Sequence, residues 1–137
     1  MTYTLLKHVK AKGLGKIYAD VDTIFGEHDV RRPDLIFFAT DRLHLVGKQA
    51  LAGPPDLCVE VISPSSVAID RKIKFRQYEE GGVAHYWIID PMKKTIEGCS
   101  SAGGQYQPSG TGKDDEAVAL PPFPDLAISL AELWQYK

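Results

Sequence analysis

The sequence predicts an α/β domain built on a mixed β-sheet, and three observations carry that reading. Short runs rich in β-branched and aromatic residues, such as 35–38, 56–62 and 85–90, are bounded by turn residues. A single strong helical stretch, up to about residue 80, sits between two of those runs and stops at Gly81 and Gly82. After it come alternating short runs around Gly103-Gly104, the pattern of a β-hairpin.

In chain order, Leu5, Leu6 and Val9 have helical spacing that Gly13 and Gly15 terminate. Residues 17–22 read as a strand, 26–29 as a turn and 30–38 as a second strand. Residues 44–53 read as an irregular connection closing on Gly53, Pro54 and Pro55, before a third strand over 56–62. Pro64, Ser65 and Ser66 open the central helix, with Ser65 or Ser66 as its N-cap. Residues 85–91 form a strand ended by Pro91. Residues 95–100 and 105–107 form the hairpin, 109–116 a polar loop, 117–120 a short strand and 130–136 a terminal helical turn.

A chain of 137 residues with 44% hydrophobic and 25% charged side chains is one domain with a proper core. The formal net charge of -2 gives no bulk-charge argument for nucleic acid, although a local basic patch could still guide a phosphate backbone. Two cysteines make no disulfide framework; Cys58 lies in an apolar run as a small core residue, and a reducing cytoplasmic location is expected. No stretch approaches the ~20 apolar residues of a membrane span, and the first residues lack a signal-peptide core.

Glu60 stands inside the apolar run 57–62, and a buried carboxylate costs several kcal/mol, roughly, unless a cation or hydrogen bonds compensate it. Pro-Asp occurs three times, at Asp34, Asp56 and Asp125, so the dipeptide alone proves nothing. Asp56, Cys58, Glu60 and Ile62 share one strand face, which puts Asp56 and Glu60 about 13 Å apart, too far to share a cation. Asp34, from an adjacent strand, is able to reach Glu60. Two such carboxylates and a main-chain carbonyl suit Mg²⁺, which keeps several waters. The plainer alternative has Asp34 capping a turn and Glu60 meeting an arginine.

On the helix, Asp70, Lys74 and Tyr78 follow i, i+4, i+8 and share a face. Lys74 lies between Ile73 on one side and Val67 and Tyr78 on the other, whereas Lys72 falls among Arg76, Glu79 and Glu80 on the solvated side. Lys74 is therefore the inward lysine, unless it forms only an exposed pair with Asp70 worth ~0.3–0.5 kcal/mol. The four histidines show no metal spacing, and no nucleophile elbow, P-loop or GxGxxG is present. Tyr86, Trp87 and Trp134 read as core rather than a base-stacking platform.

Together these residues resemble the Uma2 family (DUF820) of the restriction endonuclease-like PD-(D/E)XK superfamily. The resemblance lies in Arg32-Pro33-Asp34-Leu35-Ile36-Phe37, the run from Gly53 through Glu60 to Ser66, and Asp70, Lys74 and Tyr78. It continues through Gly82 to Pro91 and closes on Leu120-Pro121-Pro122-Phe123 with Leu130 to Trp134. It covers residues 30–137 and leaves 1–29 as an incomplete or divergent N-terminal part. It implies a restriction endonuclease-like core, with one helix on a mixed sheet and a hairpin extension.

It also implies Asp34 and Glu60 as the acidic pair, with Ile62 where an orthodox motif has lysine and Lys74 as that lysine moved to the helix. Asp34, Glu60 and the Ile62 main-chain carbonyl would then hold Mg²⁺ or Mn²⁺, with Asp70 and Tyr78 in support. The expected activity is metal-dependent hydrolysis of DNA. A non-catalytic DNA-binding or assembly module, and a scaffold that forms a homodimer, stand as the competing readings.

Overall fold

The computed structural model describes residues 1–19, 21, 23–24, 30–47, 51, 53–63 and 68–135. Helix α1 (Thr2–Lys12) ends on Gly13 in the left-handed conformation, φ 62°. Strand β1 (Gly15–Ala19) follows and pairs antiparallel with β4 (Leu35–Ala39), so the first residues are an integral part of the sheet. Gly15 is required by close approach: a Cβ there would lie 2.0 Å from the Phe38 carbonyl oxygen.

The main sheet has six strands in the order β1-β4-β5-β6-β7-β8. Strand β5 (Leu57–Val61) runs antiparallel to β4 and parallel to β6 (His85–Asp90). Helix α2 (Ala68–Glu80) makes the crossover that a parallel pair needs. The hairpin of β7 (Thr95–Ala102) and β8 (Gln105–Lys113) completes the sheet, turning on Gly103 and Gly104.

The predicted second strand divides in two. Short β2 (Thr23–Ile24) pairs with β3 (Val30–Arg31), and β4 begins only at Leu35, because Pro33 has no N–H to give a ladder. The predicted connection after residue 44 overlaps a 3-10 turn over Thr40–Leu45. The largest correction concerns the polar loop expected from residue 109: β8 continues through it to Lys113. Its glycines are there for packing, since a Cβ on Gly110 would meet Leu120 Cδ2 at 2.6 Å. Strand β9 (Ala117–Val118) pairs with β10 (Ile128–Ser129), and α3 (Leu130–Gln135) closes the described chain. The turn expected at 26–29 and the N-cap at Ser65 or Ser66 lie outside the described residues.

The sheet separates two cores. On one face, Leu35, Phe37, Val59 and Trp87 meet Leu5 and Val9 of α1 together with Leu120, Phe123 and Leu130 from the C-terminal part. On the other face, Ile36, Phe38 and Cys58 meet Tyr78, Tyr86 and Tyr106, with Phe75 of α2 against them. Period-two alternation assigns the faces: odd residues of β4 and β5 go to the first and even residues to the second. Glu60 is even-numbered and lies on the α2 side.

Candidate active site

The C-terminal end of β5 is where the chemistry collects. The last pair of the β4–β5 ladder is Leu35↔Val59, so one step further Asp34 falls opposite Glu60. Asp34 Oδ2 accepts a hydrogen bond from the Val61 N–H at 2.7 Å, which ties the start of β4 to the end of β5. Two carboxylates on facing positions repel each other unless a cation lies between or beside them.

Glu60 is only 8% exposed and is the one charged side chain in the buried set among the described residues. The Tyr78 hydroxyl donates to its Oε1. Lys74 Nζ stands 3.8 Å from its Oε2. Tyr78 is fully buried, and that burial, reinforced by the charge of Glu60 and the hydrogen bond to it, pushes the phenol far above its ordinary pKa. It therefore stays a donor. Burial, then the Glu60 charge, also raises Cys58 and Tyr86, with Arg71 opposing the shift at Tyr86.

A small cavity of about 20 Å³ adjoins Glu60, lined by Val61, Ile62, Arg71, Lys74, Tyr86 and Ile88. That is room for one water-sized group. The Ile62 N–H donates to the Ile89 carbonyl at 2.8 Å, fixing the chain as it leaves β5.

Asp34, Glu60, Ile62, Lys74 and Tyr78 thus meet at one end of the sheet. Asp70 belongs to α2, but its side chain lies outside the described residues. The inward direction of Lys74 holds for a narrower reason than the periodicity suggested. Ile73 is 44% exposed, so among the described residues Tyr78 is the flanking apolar group that anchors that face, and Val67 lies outside them. Glu79 is not on the solvated side either, since its Oε2 accepts the Tyr106 N–H at 2.7 Å.

Arg71 is absent from the set of residues expected from the sequence, although its spacing to Lys74 and Tyr78, i, i+3 and i+7, is the helical-face signal that points to it. Asp56 takes another role at the far end of β5. Its carboxylate accepts from Arg42 at 2.9 Å and from the Ala39 N–H at 2.7 Å.

Small hard cations take oxygen donors, and facing carboxylates beside strand-end carbonyls are that donor type. Among the described residues no group of three His, Cys, Asp or Glu assembles as a metal cluster. No described helix is long and apolar enough to cross a membrane.

A profile of the Uma2 family, described as "Putative restriction endonuclease", matches residues 1–131. No curated protein matches the chain. Among solved structures, the fold is similar to that of a "putative nuclease belonging to DUF820" from Anabaena variabilis ATCC 29413. The TM-score is 0.76 at 21% identity, over 97% of this chain and 75% of that one.

Proposed function

The chain belongs to the Uma2 family, and on that premise we propose that it is a metal-dependent endonuclease hydrolysing DNA phosphodiester bonds. The observation that carries the reading is the meeting of Asp34, Glu60 and Lys74, from three separate elements, at the end of β5. Asp34 and Glu60 would hold Mg²⁺ or Mn²⁺, together with a main-chain carbonyl. Ile62 is the residue the sequence points to. Its N–H is turned to the β6 side, whereas the Val61 N–H is turned to Asp34. Neighbouring residues of an extended chain alternate their polar groups between flanks, so the Val61 carbonyl competes for that role.

The bound cation would supply Lewis-acid polarisation of the phosphate and a water of lowered pKa. Tyr78 holds Glu60 in one orientation. Lys74 orients the attacking water or stabilises the charge developing on the phosphate oxygens. Asp70 would orient the start of α2. The two free cysteines accord with a reducing, cytoplasmic setting.

The test incubates plasmid or oligonucleotide with Mg²⁺ or Mn²⁺, comparing wild type with Asp34→Ala and Lys74→Ala. Loss of cleavage in both is expected; cleavage surviving both removes these residues from the mechanism. A second reading, a catalytically inactive DNA-binding or assembly module, draws support from the Tyr78 and Lys74 contacts that already occupy both Glu60 oxygens. Calorimetric titration with Mn²⁺ separates the two, with one site for the nuclease and none for the module.

A further inference from the structure

A second, larger groove runs along α2 on the side of β6 and β7. It has a volume of about 500 Å³, and its helix wall is Ala68, Arg71, Lys72, Phe75, Arg76 and Glu79. These positions follow i, i+3, i+4, i+7, i+8 and i+11, one continuous stripe along the helix. The sheet wall is Ile88, Glu97 and Cys99. Arg71 and Ile88 line both this groove and the small cavity at Glu60, so the two are continuous.

The chemistry of the stripe is uneven. Arg71, Lys72 and Arg76 form no ion pair with any described residue, and Lys72 and Arg76 are exposed. Of the two acids in the lining, Glu79 is already engaged by the Tyr106 N–H. Glu97 remains as an exposed counter-charge on the far wall. On a chain of net charge -2, three such cations on one helical stripe are a local excess that the composition conceals. Between the cations the floor is apolar, with Phe75 and Ile88. Cations on the rim and an aromatic floor are what a single nucleic-acid strand requires, the first for phosphates and the second for base faces.

We propose that one strand of the DNA substrate lies along α2, its phosphates on Arg71, Lys72 and Arg76, and leads into the cavity at Glu60. The inference deepens the nuclease reading and rests on it for the choice of DNA, but its test needs no cleavage. Fluorescence anisotropy of a labelled ten-nucleotide DNA strand is measured in EDTA across a range of salt. Wild type is compared with the triple variant Arg71→Gln/Lys72→Gln/Arg76→Gln. A charge-matched control, Lys7→Gln/Lys10→Gln/Lys12→Gln, alters α1 on the opposite face of the sheet.

The α2 variant is expected to bind about tenfold more weakly or worse. Its slope of log affinity against log salt should be shallower by about 2, at ~0.7 for each phosphate no longer neutralised. The control should keep both values, and unchanged thermal melting verifies that each variant folds. Unchanged affinity and slope in the α2 variant, or equal weakening in both variants, overturn the proposal. Strand binding through α2 without any cleavage under Mg²⁺ or Mn²⁺ leaves it standing while removing the hydrolase. Normal cleavage with strand affinity indifferent to α2 removes it alone.

Discussion

The two ends of the β4–β5 pair start from the same dipeptide and reach opposite outcomes. Each strand is preceded by Pro-Asp, and because the strands are antiparallel, Asp34 and Asp56 stand at opposite ends of the sheet. At the Asp56 end the charge is fully answered. Arg42 and the Ala39 N–H take its two oxygens, and its own N–H donates to the Phe37 carbonyl at 2.8 Å. At the Asp34 end only Oδ2 accepts a hydrogen bond among the described residues, and the next acid, Glu60, lies across the ladder. One aspartate closes the fold. The other leaves negative charge concentrated where a cation would be useful.

The sharpest way to break this comparison is to exchange the readouts. Asp34→Ala should lower Mg²⁺-dependent cleavage by more than about 100-fold, the scale of losing one preorganised electrostatic group, and leave the melting temperature nearly unchanged. Lys74→Ala should lower cleavage alike, and it also leaves the buried Glu60 without its counter-charge. Equal loss of stability and cleavage in Asp34→Ala would merge the two ends into one structural class.

Tyr78→Phe tests the clamp on Glu60. The ring stays in the core, but a buried carboxylate oxygen loses its donor at a cost of about 1–3 kcal/mol. Both melting temperature and cleavage should fall. Asp56→Ala should be the mirror of Asp34→Ala. It leaves the Ala39 N–H and Arg42 without their acceptor, for a melting temperature lower by about 5 °C and cleavage per folded molecule unchanged.

The smallest expected effect belongs to His85, also at the Asp56 end, whose Nδ1 lies 2.8 Å from Ser100 Oγ. Burial lowers its pKa below the ordinary 6.5, with the Asp56 charge opposing. The unfolded chain then binds the proton more readily than the folded one, so stability is full above pH 6.5 and declines as pH falls through and below it. Melting temperature followed from pH 8 to pH 5 should show that decline, and His85→Gln should flatten it.

These contrasts were only partly legible in the sequence. Glu60 was conspicuous because a charge inside an apolar strand demands a partner, and period-two alternation put it on one face with Asp56, Cys58 and Ile62, while the structure showed that face to be the helix side. Lys74 and Tyr78 followed from helical periodicity. The partner of Asp56 was not legible, since Arg42 comes from an irregular turn with no repeat to announce which way it points. Strand β8 was hidden because its Ser109, Gly110, Thr111 and Gly112 have loop composition. They are extended because cross-strand pairing with β7 and the packing of Leu120 override local propensity. The sharing of Arg71 between cavity and groove needed the sheet's other wall.

The crossover from β5 through α2 to β6 carries Glu60, Lys74, Tyr78 and Arg71 within a single stretch of chain, whereas Asp34 arrives from outside it. Most of the proposed machinery thus lies in one stretch of chain, held in register by its own parallel strands. Its completion hangs on a lone residue delivered by a neighbouring segment. On the proposed reading, a change at that one visitor would silence the protein while the scaffold stays standing.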